Sequence, residues 1–93
     1  MRVINIKYFY IEDTGSCLVQ EKYLDEFLKK HPEIVVERIN AQIATELANI
    51  FKIEGVPTFV FLQGDKELAR TDGVYSAENL FALVQELVSG KLE

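Results

Sequence analysis

The segment "IEGVPTFVFLQGDKELARTDG", residues 53–73, decides how this 93-residue chain is read. Within it, "PTFVFLQ" (57–63) is a β-branched and aromatic run that opens at a proline, a position where a strand needs no backbone donor. "GDK" (64–66) is a tight turn, and "ELARTDGV" (67–74) is the returning strand. A turn that short requires the two strands to run antiparallel.

Working outward, "RVINIKYFYI" (2–11) has the Ile, Val, Tyr and Phe content of a buried strand. Residues 17–30 carry Cys17, Leu24, Phe27 and Leu28 at helical spacing, with Lys29 and Lys30 suited to a last turn. His31-Pro32 ends that helix, because proline disfavours helical geometry in the residue before it. "EIVVERIN" (33–40) reads as a second strand. Residues 41–52 read as a second helix with Ile43, Leu47, Ile50 and Phe51 on its apolar side, broken by Gly55. Ser76 is a good N-cap for a last helix whose apolar face is Leu80, Leu83, Val84 and Leu87.

The order is therefore β-α-β-α-β-β-α. The first crossover makes strands one and two parallel and right-handed. The expected fold class is α/β, a mixed four-stranded sheet with helices on both faces. A chain this short has room for one core, so residues 1–93 are read as a single domain. Leu92-Glu93 is read as a tag remnant and given no functional weight.

Hydrophobic residues make up 48% of the chain and there are only two prolines, which excludes a low-complexity segment. The net charge of −5, with no basic block, argues against nucleic acid as a partner. No apolar run is long enough to span a bilayer, so no membrane partner is expected. The N-terminus lacks the apolar stretch and cleavage site of a signal peptide, and the chain has one cysteine; together these point to a cytoplasmic, reducing setting. One His and one Cys make no zinc set, the glycines form no phosphate loop, and neither metal nor cofactor is implied. His31 is read as helix-end polarity.

That lone cysteine, Cys17, follows Thr14-Gly15-Ser16 at the first strand-to-helix junction. Two readings stay open. Free N–H groups and the macrodipole at a helix start stabilise a thiolate, and the Thr14 hydroxyl is placed to cap the helix or bond the sulfur. Against this, Glu12 and Asp13 disfavour a second anion, and free cysteine is among the most buried residue types. Thr, Gly and Ser are also ordinary cap and turn residues.

The element order, "YFYIEDTGSC" (8–17), "RIN" with the helix after it, the hairpin stretch quoted first and "YSAENLFALVQELV" together resemble the thioredoxin family over nearly the whole chain. The family's redox motif is Cys-Gly-Pro-Cys preceded by Trp. At the matching positions this chain has Asp13, then Thr14, Gly15, Ser16 and Cys17. The resemblance implies that Thr14 stands for the attacking cysteine and Cys17 for the resolving one. Tyr8 falls where the family keeps a buried aspartate, and Arg38 falls where it often has lysine; Arg38 receives no task. The family's first strand and helix are missing, which leaves a minimal version of the fold. The resemblance further implies a cis Pro57, a turn lying against Thr14–Cys17, and a Val56 backbone free to pair with an extended peptide. The candidate catalytic residues are then Cys17 and Thr14, and the partner-binding ones Asp13, Gly15, Ser16, Val56, Pro57 and Gly73.

Dithiol exchange needs one thiol to attack and another to resolve, so one cysteine cannot reduce a disulfide unaided. The preferred function is a module that binds an extended peptide or protein partner in a thiol-redox context. One alternative is a monothiol protein forming a mixed disulfide through Cys17 with glutathione or a partner. Another is a small thiol peroxidase, since Thr-x-x-Cys resembles the peroxiredoxin motif. Tyr10 stands where those enzymes carry proline, which weakens that match. Thr14→Cys is expected to create a Cys-x-x-Cys pair that oxidises internally and reduces insulin in a turbidity assay. If the variant forms no intramolecular disulfide, Thr14 and Cys17 do not share an active-site turn.

Overall fold

The computed structural model describes residues 3–90; the strand expectation at Arg2 and the tag reading of Leu92-Glu93 lie outside the described residues. The elements are β1 (Asn5–Tyr10), α1 (Gly15–Lys30), β2 (Val36–Asn40), α2 (Thr45–Ile50), β3 (Thr58–Gln63), β4 (Lys66–Arg70) and α3 (Ala77–Ser89). The sheet order is β2-β1-β3-β4; β1 and β2 are parallel, whereas β3 is antiparallel to both its neighbours. This is the mixed four-stranded sheet with helices on both faces expected from the sequence.

Strand alternation divides the core in two. Ile6, Tyr8, Phe59 and Phe61 point to the face covered by α1 and α3, where they meet Leu24, Phe27, Leu80 and Leu87. Phe9, Val60 and Leu62 point to the opposite face and meet Ala48 of α2. Every residue of β3 except Gln63 is buried, which is why "TFVFL" reads as a continuous apolar run and not as an alternation. Ser76 caps α3 as expected, its hydroxyl accepting from the Asn79 amide at 3.2 Å. Gly90 closes that helix in the left-handed conformation, at φ 81°.

Several boundaries differ from the sequence reading. The helix expected over 41–52 is only Thr45–Ile50, and Ile43 and Ile50 are 81% and 69% exposed. Residues after β2 are held in turns instead: Asn40 accepts from the Ile43 and Ala44 amides through its carbonyl, and from Gln42 through its side chain. At about 100° per residue, Ala44, Ala48 and Phe51 share one side of α2, and Ile50 falls more than a quarter-turn away. The second strand begins at Val36, not residue 33, because Ile34 closes a turn onto the His31 carbonyl. The fourth strand stops at Arg70. Thr71 still pairs with Phe59, through its amide at 2.9 Å and its hydroxyl at 2.9 Å. Gly73, at φ 87°, then turns the chain away. His31 does more than polarise a helix end: its ring stacks on Phe81 at 3.9 Å, tying α1 to α3.

Phe59 is almost wholly buried and stacks on Tyr8 at a centroid distance of 4.7 Å. Phe59→Ala is expected to lower unfolding stability by about 3–5 kcal/mol in denaturant titrations. Ile50→Ser is expected to change it by no more than about 0.5 kcal/mol. An equal loss at both positions would contradict the two-face assignment of the core.

Candidate functional site

The strand pairing brings four segments to one end of the sheet: the ends of β1, β2 and β4 and the start of β3. Here β1 runs out at Tyr10, and Asp13 takes a left-handed conformation at φ 62° that an Asp tolerates. Thr14 is extended and forms the N-cap of α1, its carbonyl accepting from the Leu18 amide at 2.9 Å. Its side chain makes no cap, and its hydroxyl donates back to the Ile11 carbonyl at 3.1 Å. Thr14 therefore neither caps α1 through its side chain nor bonds the Cys17 sulfur; it holds the turn that precedes the helix.

Gly15 and Ser16 are exposed, but Cys17 is only 3% exposed. It belongs to the buried stripe of α1, with Gln20, Leu24 and Phe27. Gln20 is a polar member of that stripe and grips the loop after β4. Its Nε2 donates to the Tyr75 carbonyl at 2.9 Å, and its Oε1 accepts from the Tyr75 amide at 2.8 Å. This holds the Gly73–Tyr75 loop against α1. A Gln three residues after Cys17 and four before Leu24 falls on the same apolar side, a signal the helical spacing contained.

The Val56-Pro57 peptide bond is cis, and Pro57 is fully buried. Val56 is half-buried, and its backbone makes no hydrogen bond among the described residues. Next to it, the Thr58 hydroxyl donates to the Gly55 carbonyl at 2.7 Å.

A cavity of about 270 Å³ opens beside Cys17. Its walls include Tyr10, Ile11, Leu18, Glu12, Asp13, Glu21 and Arg38. Of the sequence candidates it brings together only Asp13 and Cys17. Val56 lines a neighbouring depression of about 240 Å³ that shares the Ile11 wall. A larger depression, about 660 Å³, lies at the other end of β1 and contains none of these residues.

Arg38 now has a place. It lies opposite Tyr8 across β1 and β2, and reaches over to α1. There its guanidinium bonds the Glu21 carboxylate and, at 3.3 Å, Asp25. Burial alone would lower the Arg38 pKa, but the bond and charge of Glu21, followed by Asp25, hold it above its ordinary value. Beneath this pair, Tyr8 is completely buried; its phenolic oxygen and the buried Glu21 Oε2 form no hydrogen bond of normal geometry, and the Glu21 carboxylate is the phenol's polar neighbour. Burial pushes the Tyr8 phenol well above its usual range, with neighbouring Cys17 and Glu21 adding to the effect. These links join residues far apart in the chain, so no local pattern announces them. Among the described residues, no group of three or more His, Cys, Asp or Glu is placed to hold a metal, and no helix is long and apolar enough to cross a membrane.

The sequence profile of the family described as Thioredoxin matches residues 3–86. Glutaredoxin 3 of Danio rerio is 28% identical over 87 residues, which cover 94% of this chain and 26% of the relative. Monothiol glutaredoxin-4 of Schizosaccharomyces pombe is 30% identical over 80 residues, 86% of this chain and 32% of the relative. The chain thus spans about a quarter to a third of the length of these relatives. A solved structure described as thioredoxin-2, a component of malaria parasite protein secretion machinery, superposes with a TM-score of 0.84 at 25% identity; the match covers 90% of this chain and 82% of that one.

Gln20→Ala is expected to cost about 1–3 kcal/mol and to speed hydrogen exchange at the Tyr75 amide, since two backbone groups lose their partner. Tyr8→Phe is expected to leave the unfolding midpoint unchanged or raise it, because it removes an unpartnered buried hydroxyl. A loss above about 1 kcal/mol in Tyr8→Phe would show that the hydroxyl is bonded in solution.

Proposed function

This chain belongs to the thioredoxin family, and from that premise we propose that it is one thioredoxin-like module that binds an extended peptide or protein partner in a thiol-redox context, without exchanging disulfides on its own. The single observation that carries this reading is the state of the chain's one thiol: Cys17 is packed into the buried stripe of α1. Thr14 occupies the place of the family's attacking cysteine in this reading, and its hydroxyl is engaged by the Ile11 carbonyl. Thiol attack needs access as well as ionisation. Binding needs neither. Val56 keeps an unbonded backbone beside Gly55 and Pro57, and strand-like pairing uses such a group. Gly15, Ser16, Asp13 and the Gly73 loop supply the exposed rim. The names of the relatives, glutaredoxin 3 and monothiol glutaredoxin-4, support a thiol-redox setting in which a module of this size is one part of a longer protein.

The cavity beside Cys17 favours a second reading, in which a partner's or glutathione's sulfur reaches Cys17 through it and forms a mixed disulfide. In that case Cys17 attacks a disulfide and releases one of its sulfurs as a thiol, and a thiol from the partner resolves the adduct.

The two readings separate in one comparison. Wild type and Cys17→Ser are titrated with a pool of thiol-free extended peptides, using the Val56 amide shift as the signal. Affinities within about twofold, a difference of roughly 0.4 kcal/mol, are expected for the binding module. Loss of binding in Cys17→Ser, together with a reductant-sensitive adduct on wild type when a disulfide is supplied, would overturn it in favour of the monothiol reading.

A further inference from the structure

The depression of about 660 Å³ at the far end of β1 belongs to none of the features used so far. It lies where β1 and β2 begin and β3 ends, so the sheet separates it from Cys17 along its full length. Ile4, Ile34, Leu62 and Val88 line it. Val3 and Val35 line it too, and each is 80% exposed. Lone exposed aliphatics are ordinary, but these two share one concave surface with four more.

The layers explain why this end stays open. One face of the sheet carries α1 and α3, of 16 and 13 residues; the other carries α2, of six, over Phe9 and Val60. Alternation puts Asn5 and Lys7 on the α2 face as well. Asn5 is exposed, and Lys7 turns to Glu37 at 2.6 Å. An element added at this end buries apolar surface that the fold itself leaves wet.

The charges around the depression select what kind of element that is. Glu33, Glu37 and Asp65 are exposed carboxylates, opposed by Lys7 alone. Lys7 is already paired with Glu37, Glu33 has only the His31 ring at 4.0 Å, and Asp65 makes no ion pair among the described residues. Lys29 and Lys30, exposed at the end of α1, do not line the depression. A second copy docked by two-fold symmetry would set these carboxylates against their own images, and a phosphate-bearing surface would meet the same sign. Aliphatic side chains set between lysines or arginines meet apolar wall and opposite charge together.

We infer that this depression is a second docking surface, which takes an aliphatic segment flanked by Lys or Arg from a partner protein. The aliphatic side chains lie against Val3, Ile4 and Val35, and the cations lie near Glu33 and Asp65. The surface uses neither the thiol nor Val56, so it stands or fails independently of the binding reading above.

The test uses three pools of capped nonapeptides with a randomised three-residue aliphatic centre between flanks of Lys, Gln or Glu. Each is titrated into the full chain, with the Val35 and Gly64 amide shifts as readout. The Lys pool is expected to bind about fivefold or more tighter than the Glu pool, with Gln between them, and the preference to shrink as salt rises from about 0.05 to about 0.5 M. In Glu33→Gln/Asp65→Asn the Lys and Glu pools are expected to come within about twofold. Glu46→Gln/Glu78→Gln, which removes the same charge from exposed positions outside the depression, is expected to keep the preference. Val35→Ser is expected to weaken the Lys pool about threefold or more. Equal binding of all pools would overturn the charge requirement, and an equal loss of preference in both double variants would overturn the placement of the cations. Unchanged affinity in Val35→Ser would overturn the apolar contact. Absence of shifts at Val35 and Gly64 with every pool would overturn the docking surface. Concentration-dependent dimers in sedimentation, abolished by Val35→Ser, would overturn the partner protein in favour of a second copy.

Discussion

Tyr8 lies directly opposite Phe59 in the β1–β3 pairing, with ring centroids 4.7 Å apart, and both rings are shut off from water. On the next residue, Phe9 points to the opposite face and is equally buried. Two adjacent strands with no wet face require cover on both sides, so α1 and α3 must lie on one and α2 on the other. This constraint also fixes where each strand ends. Once β1 and β3 are locked in register, Tyr10, Val56 and the β4 terminus come out at one edge, and the turns that carry the candidate site follow from it.

The same constraint explains what could be read from the sequence. Buried strands write themselves as unbroken apolar runs, so "YFYI" and "TFVFL" were legible, as were the turn at Gly64 and the Ser76 cap. The short helix α2 was legible as an element but not in its extent. Ile43 and Ile50 are apolar yet face water, and the spacing carries no mark of which side the sheet will take. Lone exposed aliphatics are ordinary, and pattern alone counts them as core. At the site, the Thr14–Cys17 turn was visible because turn, cap and helix follow one another along the chain. The partners of Tyr8, Glu21 and Arg38 were not, because that cluster joins β1, α1 and β2. Arg38 had no task on paper for that reason.

Burial assigns the cysteine its role in this account. Cys17 sits in the first turn of α1, a position whose free N–H groups suit an anion. Its side chain, however, turns inward with Gln20 and Leu24 and is shut off from solvent. The Thr14 hydroxyl, expected from the sequence to cap the helix or bond the sulfur, is bonded to the Ile11 carbonyl instead. What the turn offers outward is backbone, small side chains and acid. That inventory fits recognition better than thiol chemistry.

The most direct test of the central claim is the rate at which Cys17 is alkylated by iodoacetamide in the native protein, relative to the same chain in denaturant. Reaction through rare openings of α1 predicts protection of about a hundredfold or more, lost as the protein unfolds. Alkylation of the native protein within about tenfold of the unfolded rate would contradict the account and return Cys17 to the position of a working thiol.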